Sequence, residues 1–214
     1  MDYSLLRRTA VLLPLLCLCG LGCQVEIPYV DPLDATVSVV ESQEASQWAF
    51  FDFDGGQQLL GPDDSPLLLD DPTQAQDWDL AISQFVLATR TGTYADDQSL
   101  SGGSLELVEG DEENPPSIGA DAAQVSCSSL ADGDWVADTD ADPDLAGPRA
   151  SVVHNELLTG WFRYRLSSHQ AIPNFAVFAV QDRFGRCLKL QVADYYDDEG
   201  ESGFVTMYWQ YLVD

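Results

Sequence analysis

The segment Ser202-Gly-Phe-Val-Thr-Met-Tyr-Trp-Gln-Tyr211, close to the end of the chain, restricts the possible folds more than any other stretch. It follows a short acidic turn and is dense in aromatic and β-branched residues, which suit a pleated, half-buried surface. In a strand, Val205, Met207, Trp209 and Tyr211 share one face, while Phe204, Thr206, Tyr208 and Gln210 share the other. Such a strand needs neighbours from earlier in the chain. It is therefore expected in the core and not as a frayed tail.

Other segments offer those neighbours. Thr36 to Glu41 alternates as a strand, and Trp48 to Phe53 reads as a second. Trp78 to Thr89 reads as one long strand, although its apolar run also permits a helix. Leu105 to Val108 follows Gly102-Gly103, and loop signals dominate from Gly110 to Pro148. Ser151 to Trp161 is the clearest helix candidate, with His154, Leu157, Leu158 and Trp161 at i, i+3, i+4 and i+7. Phe162 to Leu166, Phe175 to Val180 and Cys187 to Ala193 precede the final strand, with Asp182-Arg-Phe-Gly185 as a hairpin connection. The expectation is a mostly β fold: one domain rich in antiparallel sheet, with a few short helices.

The first residues read as an export signal of the bacterial lipoprotein type. Arg7 and Arg8 supply the positive start, Ala10 to Leu18 the apolar stretch, and Leu21-Gly22-Cys23 the cleavage site. The apolar run is short for a bilayer span. Cys23 is the candidate for lipidation, with Cys17 and Cys19 as alternatives and an ordinary secretory cut as the competing reading. The expected organisation is a signal at 1–22, a lipid-anchored tether at 23–35 containing Pro28 and Pro32, and a β-rich domain at 36–214.

The chain carries a formal charge of −27; removing Asp2, Arg7 and Arg8 with the signal takes away +1 and leaves −28. Such a chain is repelled by nucleic acid and anionic membrane surfaces, so attachment to a membrane falls to the lipid. With 45% hydrophobic residues the charge does not imply disorder. After the signal, Cys127 and Cys187 remain beside Cys23, and in an oxidising compartment two cysteines most simply pair. A bridge enclosing 187 − 127 − 1 = 59 residues contributes about 4 kcal/mol on the loop-entropy estimate. The alternative is two free thiols, one of them buried.

Catalytic signatures are scarce. There are two histidines, His154 and His169, and no Gly-x-Ser-x-Gly, His-Glu-x-x-His or Cys-x-x-Cys motif. Thirty-six acidic residues make chance carboxylate pairs inevitable. Asp138, Asp140, Asp142 and Asp144 have the spacing of a calcium loop, but Pro143 replaces the turn glycine and Arg149 the closing glutamate. The competing reading is a solvated acidic loop. Five of the seven cations beyond the signal, Arg163, Arg165, Arg183, Arg186 and Lys189, bracket His169 and suit an anionic ligand or nearby acids. His169, in a loop between two strands, suits a metal or haem iron. His154 on an apolar face and Met207 on the strand's apolar face are by default packing residues.

Three blocks together resemble the HmuY-like haem-binding lipoproteins. They are Trp48 to Phe53 with Asp77-Trp-Asp-Leu-Ala-Ile82; Leu158 to Pro173 with Trp161, Tyr164 and His169; and Val180 through Asp182-Arg-Phe-Gly-Arg-Cys-Leu-Lys-Leu190 to Asp194-Tyr-Tyr196, Ser202-Gly-Phe204 and Thr206 to Tyr208. The resemblance implies a non-catalytic, haem-binding lipoprotein of the bacterial envelope, anchored in the outer membrane. It implies iron acquisition from haem or haemoproteins, and delivery to a TonB-dependent outer-membrane receptor. It also implies two axial ligands to the iron. His169 matches one. The other is expected between Leu130 and Asp142, which holds neither histidine nor methionine, so His154 and Met207 become the candidates, with Arg163 and Arg165 for the propionates. A second reading is a surface interaction or structural lipoprotein that keeps the scaffold without a haem site.

Overall fold

The computed structural model describes residues 35–213 apart from 45, 92–93, 95–102, 120–121, 123–124, 132 and 140–152. Cys23, Asp140, Asp142 and Asp144, with the signal and nearly all of the tether, lie outside these residues.

Twelve strands are present among the described residues: β1 (Thr36–Glu41), β2 (Trp48–Asp52), β3 (Gln57–Gln58), β4 (Leu68–Leu69), β5 (Leu80–Ser83), β6 (Val86–Thr89), β7 (Ser104–Val108), β8 (Phe162–Arg165), β9 (Gln170–Pro173), β10 (Val177–Gln181), β11 (Cys187–Tyr196) and β12 (Ser202–Tyr211). They form one antiparallel sheet in the order β1-β12-β11-β10-β7 and a second in the order β3-β2-β5-β6, with β4 also on β2. The hairpin β8-β9 stands apart. The fold is mostly β, as expected, and the aromatic C-terminal segment lies inside the first sheet between β1 and β11.

The alternation in β12 decides which sheet faces pack. Val205, Met207 and Trp209 point at the second sheet and join Phe51, Phe53, Leu80, Ile82 and Leu87 in one core with Phe178, Leu188, Leu190 and Val192. Trp209 meets Phe53 at 5.3 Å and Phe51 at 6.1 Å between ring centres. Fully buried side chains of this size contribute about 1.5–3 kcal/mol each, so this interface dominates the stability of the fold. The opposite face of β12 presents Tyr208 to a smaller cluster with Ile118, Phe175 and Val177. The far side of the second sheet is covered too: Trp48, Phe50, Trp78 and Ala81 pack under Leu67, Leu69 and Tyr94.

Two expectations need correction. Trp78 to Thr89 is not one strand: it folds back on itself as β5 and β6, with Leu80 opposite Thr89 and Ser83 opposite Val86. Gln84, at φ 52°, takes the left-handed conformation that a two-residue turn requires. Both strands are buried throughout, so their apolar run carries no period that would reveal the turn. Of the helix expected over Ser151 to Trp161, the described part, residues 153–161, is helical only in α1 (Glu156–Thr159). Asn155 caps it, its side chain accepting from the Leu158 N–H at 3.1 Å. His154, just before the cap, is extended and exchanges backbone hydrogen bonds with Thr139 instead of lying on a helical face. The remaining strands shift by a few residues, and β9 arises where a loop was read.

Candidate functional site

Cys127 and Cys187 form a disulfide with Cα atoms 5.3 Å apart, inside the usual range for a bridge. Of the two readings left open by the sequence, the paired one holds. The bridge ties the segment before the 3₁₀ turn Ser128–Leu130 to the first residue of β11.

His169 closes the turn of the β8-β9 hairpin, directly before Gln170. Its φ of 57° is left-handed, an uncommon backbone state that histidine tolerates better than bulkier residues. Alternation along β8 sets Phe162 and Tyr164 on one face and Arg163 and Arg165 on the other. Phe162 stacks on Phe85 at 4.8 Å, and the Ala171 N–H donates to Tyr196 Oη at 2.9 Å, so the hairpin base is fastened to the body. At the tip, Tyr164 is 45% and Leu166 77% exposed, and His169 is exposed as well. Tyr164 Oη lies 3.4 Å from His169 Nδ1, which turns Nε2 away from the phenol. Here an accessible imidazole is held beside an exposed aromatic ring and an exposed aliphatic side chain.

Arg163 and Arg165 do not reach across to that face. Both approach Glu112, at 3.4 and 3.7 Å. The Arg163 side chain is 78% exposed, so its pairing is a solvated contact that an anion can replace at little cost. A cavity of about 560 Å³ beside it is lined by Glu109, Asp111, Glu112 and Glu113 with Arg163. A second cavity of about 360 Å³ lies between Glu106, Leu157, Asn174 and Phe178. Neither includes His169, and both are walled by carboxylates that disfavour an anionic ligand.

The other candidate ligands lie elsewhere. Met207 is completely buried between the two sheets, and His154 is 2% exposed beside α1. The structure does not bring either to the hairpin tip. Asp138, the first residue of the calcium-like spacing, is buried. Its Oδ1 accepts from the N–H and hydroxyl of Thr89 at 3.0 and 2.9 Å, while Oδ2 is buried without a partner. Burial, opposed by those donors, raises its carboxyl to about 7. It seals the end of β6. Among the described residues no group of three or more histidine, cysteine or acidic side chains is arranged to hold a metal ion.

Arg183 and Arg186 are structural. Arg183 contacts Asp52 at 2.7 Å and Asp79 at 3.0 Å, and Arg186 contacts Asp182 and Asp54, both at 2.7 Å. Of the two readings open for these arginines, an anionic ligand or nearby acids, the structure shows the second: the chain's own carboxylates occupy them. The Tyr164–His169 pairing was missed, although the alternation of Phe162 to Arg165 carried the signal for which side Tyr164 takes.

Several solved structures share the fold. A Tannerella forsythia protein, described as an apo HmuY analog, superposes with a TM-score of 0.56 at 14% identity, covering 86% of this chain and 99% of that one. A Bacteroides vulgatus protein, whose name calls it HmuY-like and heme-binding, gives 0.56 at 18% identity over 89% and 100% of the two chains. A Bacteroides fragilis protein named as a lipoprotein gives 0.52 at 17% identity over 84% and 92%. No curated protein sequence matches the chain. The sequence profile of the HmuY protein family matches residues 44–209, from before β2 almost to the end of β12, and this chain belongs to that family.

Proposed function

We propose that this protein is a lipid-anchored envelope protein that binds haem for iron acquisition, without catalysis of its own, and that His169 is an axial ligand. The observation that carries the reading is the exposed imidazole at the tip of a hairpin in a chain of the HmuY family. The residues present fit a porphyrin on one side. Nδ1 faces Tyr164, so Nε2 is the nitrogen open to iron, and Tyr164 and Leu166 supply apolar surface for the ring. Haem, when bound, supplies the iron that an imidazole ligates. Arg163 and Arg165, both exposed and only loosely held by Glu112, are the candidate cations for the propionates, Arg165 being the closer to His169 in the hairpin register. Cys23 carries the lipid in this reading, and a TonB-dependent outer-membrane receptor takes the haem.

The test is a haemin titration of the purified protein, followed at the Soret band. A saturable shift is expected at micromolar protein, and His169→Ala should weaken it and move the spectrum toward five-coordinate iron. Wild-type affinity and spectrum in His169→Ala would remove His169 from the site.

One observation favours a second reading, a surface interaction or structural lipoprotein without haem. Among the described residues the other imidazole and thioether, His154 and Met207, are both buried away from the tip. Absence of any saturable Soret shift in the wild-type protein would select this reading.

A further inference from the structure

The outer face of the β10-β11-β12 sheet carries a cluster that haem binding does not use. Lys189, the only lysine in the chain, lies there and is 5% exposed. Sheet register sets it opposite Ala179 on β10 and Gln210 on β12. On the same face of β11, two residues to either side, stand Cys187, which is opposite Gln181, and Gln191. Opposed side chains start about 4.5–5.5 Å apart and diagonal ones about 7–8 Å apart, so Gln181, Gln191 and Gln210 surround the lysine. None of its register neighbours on this face is acidic, in a chain with 36 acidic residues.

The hydrogen-bonding state of the cluster is one-sided. Burial alone acts on the Lys189 amine and lowers it from the ordinary lysine value, and among the described residues it makes no hydrogen bond or ion pair. The Gln191 amide gives its hydrogens to Pro116 O at 2.8 Å and Phe175 O at 2.6 Å, which leaves Oε1 buried without a partner. The Gln181 amide reaches only Cys187 Sγ at 4.0 Å, and the half-buried Gln210 amide has no partner among the described residues. The lysine side chain is largely buried, its ammonium is not among the buried polar atoms without a partner and so touches solvent, and no acid pairs with it among the described residues. The Cys127–Cys187 bridge lies two residues from the lysine along β11.

We propose that Lys189, Gln210 and Gln181 form a binding site for a carboxylate on this outer face. A carboxylate is an acceptor without hydrogens, so it matches an ammonium and two amide N–H₂ groups. The orphan Oε1 of Gln191 repels it and directs it to the Gln210 and Gln181 side. The carboxylate has two possible sources, a free small acid or an acidic side chain of a peptide.

A single lysine permits a clean test. Reductive ¹³C-methylation of the purified protein gives one side-chain dimethylamine signal, which Lys189→Met must lack. Adding acetate, or a capped glutamate tripeptide, should move this signal saturably and raise the amine's pKa, whereas chloride at equal ionic strength should not. Response to the tripeptide but not to acetate identifies a peptide source; response to both identifies a general carboxylate site. Gln210→Leu should weaken the response about fivefold, the value of one lost hydrogen bond. A signal that ignores both ligands, or follows chloride equally, overturns the proposal.

Discussion

Arg183 and Asp79, 104 residues apart in sequence, are joined twice: the Arg183 N–H donates to Asp79 Oδ1 at 2.8 Å and its guanidinium to Oδ2 at 3.0 Å. Asp79 also accepts from the Phe53 N–H at 2.8 Å. The turn between β10 and β11 is thereby latched to the second sheet, and Arg186 repeats the device through Asp182, Asp54 and the Tyr211 hydroxyl. Burial pushes the Asp79 carboxyl up although Arg183 and the backbone donors pull it down. At the more open Asp52, the burial effect is outweighed by Arg183 and backbone donors, and the carboxyl is held below its usual value.

Arg183→Ala should therefore cost about 3–5 kcal/mol, because it leaves Asp79 buried without its counter-charge. The raised Asp79 carboxyl rises further without the arginine. A carboxyl raised in the folded state contributes stability below its unfolded pKa of about 4 and loses it as pH climbs through the folded value. Urea unfolding should accordingly show a smaller deficit at pH 5 than at pH 8; an equal deficit would argue against a charge origin.

Asp138 makes a second pH prediction. Its carboxyl is raised from 3.8 to about 7, so its contribution is complete below about pH 4 and is lost as pH rises to 7 and beyond. Asp138→Asn keeps an oxygen for Thr89 and removes the buried charge. The variant should match or exceed wild-type stability at pH 8, by on the order of 1 kcal/mol. Its stability should also lose the component that falls between pH 4 and 7. An unchanged pH slope would show that another group titrates there.

Removing the bridge by Cys187→Ser should lower stability by about 2–5 kcal/mol. Non-reducing mass spectrometry of the wild-type protein should find the domain two hydrogens lighter than its reduced form. Labelling of both cysteines in unreduced protein would contradict the bridge.

Met207→Ala should destabilise the protein by about 2–5 kcal/mol, since the thioether fills the core between the sheets. Below the melting temperature, this variant and His154→Ala should leave a haemin spectrum unchanged. A moved Soret band in either variant would mean that the haem site reaches the interior and that one of these residues ligates iron.

Cys23→Ser should release the protein from membranes into the soluble fraction, because several acyl chains on one cysteine add about 0.8 kcal/mol per buried CH₂. Persistence of the variant in washed membranes would assign the attachment to another part of the chain.

Much of the architecture could be read directly. The two faces of Val205 to Tyr211 separated as their alternation predicts, and the Asp182 to Gly185 turn sits between β10 and β11, with Gly185 at φ 78°. Strand pairs with one apolar face announce themselves because side-chain direction has a period of two. The β5-β6 hairpin did not, since strands buried on both faces carry no period. His154 lost its helix because a backbone partner, Thr139, competed for it from outside the local sequence.

The sequence by itself determined the β class and the placement of His169 beside a strand, both of which rest on local pattern and composition. Only the tertiary structure decided which charges are free. Arg183 and Arg186 became latches, Asp138 a buried seal and Lys189 a largely buried cation, while His169 remained exposed. The physical reason is that a charged side chain's role depends on partners and burial supplied by segments scores of residues away, and no local window contains them.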